Sequence, residues 1–202
     1  ENDYWRILAS QDNTKVETVP DLIEIPTLNR GEWFEFGSRE HFEIISDKPI
    51  SVGQFLAGEH APGPNVRGNL EPGDAGTGDP AFILSVPITQ FRSDFVFLAP
   101  DKYAFDYVSV IAPTTANVFF DDVPVDLWET VGDSLMWQVA RFPIGDGVHL
   151  LIADEPVGVI VYGYDSYVSY GYPGGLNLNV VDPETGEAMM MDEMMGMDMN
   201  QQ

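Results

Sequence analysis

The stretch His149-Leu150-Leu151-Ile152-Ala153-Asp154-Glu155-Pro156-Val157-Gly158-Val159 reads against Phe42-Glu43-Ile44-Ile45-Ser46-Asp47-Lys48-Pro49-Ile50-Ser51-Val52 at an offset of 107. Each is a short apolar run, an Asp-x-Pro break and a second apolar run. Runs this short and this rich in Ile, Leu and Val fit strands. Asp bonds local backbone donors in a turn, and Pro then stops helix propagation and opens the next strand. A second pair, Asp3-Tyr4-Trp5-Arg6-Ile7-Leu8-Ala9 and Asp106-Tyr107-Val108-Ser109-Val110-Ile111-Ala112, matches at an offset of 103. Two related β units of the sandwich type are therefore expected.

Outward from these blocks the same texture continues to about residue 180. Short runs of Val, Ile, Phe and Tyr alternate with Gly, Pro, Asn and Asp. Strands are predicted over 4–9, 16–19, 32–36, 42–45, 50–56, 81–86 and 95–98, then 107–111, 117–120, 136–139, 148–152 and 157–164. Trp33-Phe34-Glu35-Phe36 and Phe42-Glu43-Ile44 alternate, as strands with one wet face do. Val157-Gly158-Val159-Ile160-Val161-Tyr162 is apolar on both sides and is expected to be a central, deeply placed strand. The fold class predicted is all-β, two tandem β-sandwich-like units with a low-complexity acidic Met-rich C-terminal tail. Residues 1–56 form the first unit, incomplete at its N-terminus, and 57–80 a linker or long loop whose sizeable apolar side chains are Val66 and Leu70. Residues 81–180 form the second unit and 181–202 the tail.

Composition narrows function. The 202 residues carry 33 Asp and Glu against 9 Lys and Arg, a formal charge of −24. Counterion release from phosphates needs cations, so nucleic acid is a poor partner, and an anionic membrane is equally so. Such an acidic surface is also one that stays soluble at high salt. With no Cys, disulfides, thiolate metal sites and thiol catalysis are excluded. No apolar run approaches the length of a membrane span, and Glu1-Asn2-Asp3-Tyr4-Trp5 carries neither a start Met nor a signal peptide, as in a processed or excised chain.

Each chemical candidate has a plainer competitor. Tyr162, Tyr164, Tyr167, Tyr170 and Tyr172 alternate with Gly and Ser, and tyrosine pairs a flat apolar face with a hydroxyl, which suits glycan or protein contacts. Tyr164, Tyr167, Tyr170 and Tyr172 are the ligand-binding candidates. The competing reading is that these rings pack on the sandwich and only their hydroxyls reach water. His41, His60 and His149 show no metal-site spacing, and His41 and His149 sit near the starts of corresponding strands, which favours a structural or surface role. No strained Gly-x-Ser-x-Gly elbow is present for a serine hydrolase. Acids around Asp121 and Asp122, or Glu71, Asp74 and Asp79, offer oxygen ligands for calcium, with a solvated acidic surface as the alternative. Met194-Met195-Gly196-Met197-Asp198-Met199 has soft sulfur donors for Cu(I), against the alternative of a terminus that binds nothing. No cofactor is expected.

Several patches in fixed order resemble one family. They are Gly78-Asp79-Pro80-Ala81-Phe82-Ile83-Leu84, Gln90-Phe91-Arg92-Ser93-Asp94-Phe95-Val96-Phe97-Leu98, Phe105-Asp106-Tyr107-Val108, and Gly147-Val148-His149 through Tyr164. Tyr167-Val168-Ser169-Tyr170-Gly171-Tyr172-Pro173-Gly174-Gly175 continues the series. Earlier in the chain Leu28-Asn29-Arg30-Gly31-Glu32, Asp47-Lys48-Pro49-Ile50 and Gln54-Phe55-Leu56 fit as well. Over residues 3–178 the chain resembles the IgGFc-binding protein N-terminal domain family. That resemblance implies a non-enzymatic binding or adhesion module, extracellular or at the cell surface, with no catalytic residues to carry over. Its partner would be a protein or glycan met through loop and aromatic surfaces, alongside a homo-oligomer or further domains of a longer parent chain. Two alternatives stand beside it: a structural, self-associating surface or matrix subunit, and a carbohydrate-active hydrolase with two carboxylates across a cleft.

Overall fold

The computed structural model describes residues 3–58, 77–132 and 135–177. Most of the expected linker, His60, Glu71, Asp74, and the tail with its methionines lie outside the described residues. Fourteen strands and one short 3-10 turn, Ile88–Gln90, make up the elements. They are β1 (Asp3–Ala9), β2 (Val16–Val19), β3 (Trp33–Ser38), β4 (Glu43–Ser46), β5 (Ile50–Phe55), β6 (Phe82–Leu84) and β7 (Arg92–Ala99). The rest are β8 (Phe105–Pro113), β9 (Val118–Phe120), β10 (Val123–Pro124), β11 (Trp128–Thr130), β12 (Trp137–Ile144), β13 (Gly147–Asp165) and β14 (Val168–Pro173). The all-β expectation holds.

In the N-terminal half, β1 lies antiparallel between β3 and β5, and β2 pairs with β4 to form the facing layer. Ile7 and Ala9 from β1 meet Phe36, Val16 and Leu28 between them, with Phe42 and Ile44 packed at the side. In the C-terminal half, β8 lies between β12 and the second part of β13, while β9 pairs with the first part of β13. The two pairing schemes coincide strand for strand: β1 with β8, β2 with β9, β3 with β12, and β4 and β5 with the two parts of β13.

The Asp-x-Pro element works differently from its expected local turn. In both halves the aspartate reaches across to the neighbouring strand. Asp47 Oδ1 accepts the Lys15 N–H at 2.7 Å, and Asp154 Oδ1 accepts the Asn117 N–H at 2.8 Å. The backbone answers in kind: the N–H groups of Asp47 and Asp154 donate to the carbonyls of Lys15 and Asn117, each at 3.2 Å. The carboxylate thereby locks two adjacent strands at one height.

Three expectations need correction. The predicted strands 148–152 and 157–164 are one strand of 19 residues. It passes from one sheet into the other through an irregularity between Ile152 and Val157, where Pro156 has no ladder bond to lose. Phe82–Leu84, expected with the second unit, pairs with β5 instead. The Phe82 ring lies over Gly53, against the space a side chain would occupy, and packs on Phe55 with ring centroids 5.1 Å apart. Finally, β10, β11 and β14 were not expected as separate strands, because two are very short and the third is masked by its Tyr and Gly content.

β13 organises the C-terminal half. Its first part joins β10-β9-β13-β7, and its second part joins β11-β12-β8-β13-β14. Leu151, Val157 and Val161 are fully buried between these sheets with Val108, Val110, Phe95 and Phe97. The central, deep position predicted for 157–162 is therefore observed. Its outer face is covered too, since Tyr162 packs with Ile83 and Leu56 from the N-terminal half.

Candidate functional site

The two sheets of the C-terminal half differ in what lies outside them. Beyond the β11-β12-β8-β13-β14 sheet stand β6 and the Phe91 ring; beyond the β10-β9-β13-β7 sheet nothing described is packed. There the alternation of β7 and β13 turns Val96, Leu98, Val148, Leu150 and Ile152 outward, and β9 adds Phe119. The register makes these neighbours: Leu98 lies opposite Val148, Val96 opposite Leu150, and Ile152 opposite Phe119. Val96 and Val148 are 70% and 71% exposed, and it is their adjacency to the other four that makes one patch. The rim is polar, with Asp94 bound to Arg92 at 2.9 Å on one side and Asp121 on the other. This patch was missed by sequence reading. Its signal was the double-sided apolar character of Phe95-Val96-Phe97-Leu98 and Val148 through Ile152, which is what a strand covered on both faces also shows.

Beneath the patch, His149 is held between the Phe97 and Phe120 rings, with centroids at 5.8 and 5.0 Å. Its Nδ1 lies 2.7 Å from Asp121 Oδ2 and its Nε2 2.7 Å from the Gly145 carbonyl oxygen. With Asp121 ionised both partners are acceptors, an arrangement that favours the protonated ring. Burial pushes its pKa down, but the bonds to Asp121 and Gly145 and the charges of Asp121 and Asp106 outweigh this and hold it above the ordinary value. Asp121 Oδ1 in turn accepts the Leu150 N–H at 2.8 Å. Both Asp121 oxygens are thus committed to protein donors rather than to a cation, and among the described residues no three His or acidic side chains converge as a metal site. His41 pairs with Glu129 at 3.3 Å.

The four tyrosine candidates fall in different places. Tyr164 packs edge-on against Tyr107 and Tyr162, on the side facing the N-terminal half. Burial raises its pKa above the ordinary tyrosine value, with Tyr162 and Asp3 adding to the effect. Tyr170 and Tyr172 lie on the opposite face of β14, stacked at 6.0 Å and packed against the main core. Tyr170 donates to Asp106, itself buried, and Tyr172 donates to the Leu98 carbonyl, each at 2.5 Å. Tyr103 meets Tyr170 edge-on at 4.5 Å. Tyr167 stands in the β13–β14 turn with φ of 56° and is 41% exposed.

On the N-terminal half, a shallow cleft is lined by Tyr4, Arg6, Glu35, Phe55, Leu56 and Pro80, among others. The Arg6 guanidinium lies 4.5 Å from the Trp33 ring centre and 5.0 Å from that of Phe55, and pairs with Glu35 at 2.7 Å. Glu35 is the carboxylate of this cleft, its charge met by arginine; the pair of opposed acids that a glycoside hydrolase requires is not assembled among the described residues lining it.

The structure defines an all-β protein with one bare apolar sheet face. The family model described as "IgGFc binding protein" matches residues 1–163, and the chain belongs to that family. The family is one of non-enzymatic, extracellular binding proteins. No curated protein and no solved structure matches the chain. No helix among the described residues is long and apolar enough to cross a membrane.

Proposed function

We propose that this chain is an extracellular module that binds a protein partner on the outer face of its β10-β9-β13-β7 sheet. One observation carries the reading: six apolar side chains from three adjacent strands, Val96, Leu98, Phe119, Val148, Leu150 and Ile152, form one exposed surface. An apolar centre with a polar rim is the anatomy of a protein contact, and water leaving such a patch supplies the driving force. The rim and the net charge of −24 select a partner whose own apolar patch is surrounded by Lys and Arg. In this reading Tyr164, Tyr170 and Tyr172 hold the fold together through ring packing and hydroxyl bonds, and Tyr167 is a peripheral contact at the hairpin tip. Adhesion follows from such binding when either partner is surface-bound.

The test is an array of extracellular proteins and glycans, immunoglobulin Fc included, probed with the chain in the presence and absence of chelator. A hit among the proteins is then repeated with the doubly substituted chain Val96→Asp, Val148→Asp. Both positions point to water, so folding is expected to survive, and affinity should fall at least tenfold, about 1.4 kcal/mol. Undiminished binding by a folded double variant would overturn the assignment of this face; glycan hits alone would overturn the protein partner.

A further inference from the structure

We infer that the outer face of the β3-β1-β5-β6 sheet is a second binding site, one that holds an uncharged sugar of a glycan chain on its aromatic rings and its Arg6–Glu35 pair. Alternation turns Tyr4 and Arg6 of β1 outward together with Trp33 and Glu35 of β3, while β5 and β6 add Phe55 and Phe82. The rings form a row across the strands. Trp33 and Phe55 flank the Arg6 guanidinium, their centres 4.5 and 5.0 Å from it, and Phe55 meets Phe82 at 5.1 Å. Tyr4, Trp33 and Phe82 are 49%, 55% and 56% exposed, so ring surface is available to a ligand.

The polar group lies within this row. Glu35 Oε2 accepts from Arg6 Nε at 2.9 Å and lies 2.7 Å from Nη2. Glu35 Oε1 and Arg6 Nη1 are left without a protein partner among the described residues. This inverts the order of the β10-β9-β13-β7 face, where the centre is apolar and the rim polar. A dry protein surface laid over the pair would strand an acceptor and donors away from water, which is costly. A sugar answers both needs at once. Its hydroxyls donate and accept, so its edge meets Glu35 Oε1 and Arg6 Nη1, and the weakly positive C–H groups of its ring face lie on the negative faces of the aromatic rings.

Charge and shape narrow the ligand. Arg6 is matched by Glu35, so the site offers no unpaired cation, and a chain of −24 repels anions. Neutral sugars are therefore favoured over sulfated or sialylated ones. The cleft beside the pair is about 380 Å³, the size of a small-ligand site, and it is shallow, so a glycan chain can run on from the bound ring. Its described lining holds one carboxylate, bound to arginine, so the sugar is held and not cleaved.

The intact chain is titrated calorimetrically with a panel of oligosaccharides of glucose, galactose, mannose and N-acetylglucosamine, and with sulfated and sialylated counterparts. At least one neutral member should bind with a Kd of about 1 mM or tighter, and more tightly than its anionic counterpart. Trp33→Ala and Arg6→Met, at positions about half exposed, should keep the fold by circular dichroism and each weaken that binding at least tenfold. Glu35→Gln leaves the guanidinium unmatched and should shift the preference toward the anionic sugar. The Val96→Asp, Val148→Asp chain should bind the sugar as the unsubstituted chain does, so this site and the sheet face assigned above fail separately. Silence across the neutral panel, undiminished binding by folded Trp33→Ala, or a preference for anionic sugars in the unsubstituted chain would each overturn the inference. An unshifted preference in Glu35→Gln would do the same. A protein hit lost in Trp33→Ala and kept in the Val96→Asp, Val148→Asp chain would overturn both assignments, by putting a protein on this face.

Discussion

At the scale of the residue, two buried polar groups carry most of what can be tested. His149 holds a pKa above its ordinary 6.5 because its partners accept only. A folded-state pKa above the unfolded one means stabilisation that is complete below about 6.5 and is lost as pH rises through the folded value. Urea unfolding should therefore show stability declining as pH rises above about 6.5, and Asp121→Asn should flatten that decline. Asparagine is a fair replacement there, since Asp121 has φ of 47° and Asn tolerates left-handed backbone. An unchanged slope would show that Asp121 does not set the pH dependence. Asp121 itself works in the opposite sense. Desolvation raises its pKa, but the Leu150 N–H and His149 lower it overall, so its contribution disappears as pH falls through the acid range. The second group is Asp106, whose pKa burial raises despite the bond from Tyr170. Removing that bond with Tyr170→Phe keeps the ring stack and leaves a buried carboxyl short of a donor. A loss of about 1.5–3 kcal/mol in chemical denaturation is expected. Sequence reading found Tyr170 and His149 as notable residues, and the symmetry of His41 with His149 pointed to structure. It had no access to Asp121 or Asp106 as their partners, which lie 28 and 64 residues away from them.

At the scale of the element, β13 shows how a local signal can be right and incomplete. Its apolar runs were legible because Ile, Val and Leu at this density can only be strand or core. Asp154-Glu155-Pro156 read as a break, as Asp47-Lys48-Pro49 does in fact separate β4 from β5. In β13 the chain instead runs on through this segment, with His149, Leu151 and Ala153 buried before it and Val157, Val159 and Val161 after it, while changing sheets. Gly158 lies on this strand where propensity would favour a larger residue. A Cβ there would meet the Phe91 ring at 2.5 to 2.6 Å, so the glycine admits an aromatic cover on the outer face. Gly158→Ala should accordingly cost about 1–3 kcal/mol although alanine is the better strand former. A double-mutant cycle with Phe91→Ala checks the cause, since the cost should shrink once the ring is gone. Equal cost in both backgrounds would place the effect in the backbone.

At the scale of the whole molecule, charge and cover are the governing quantities. With 33 acids against 9 bases, the folded state confines strong mutual repulsion. Raising salt from about 10 mM to 0.5 M shortens the screening length severalfold and should raise Tm, by about 2–4 °C for each kcal/mol of relieved repulsion. A Tm independent of salt would mean that the acids are already paired or widely dispersed. The sequence by itself determined the all-β class and most strand positions, since alternation and turn residues are local properties written along the chain. It also marked the acidic, cysteine-free composition. Which of two equally apolar strand faces stays bare among the described residues, and which half takes β6, were decided only by tertiary structure. Those outcomes depend on what packs across the sheet from distant parts of the chain, and a run of valines reads the same whether its second face meets a tyrosine or water.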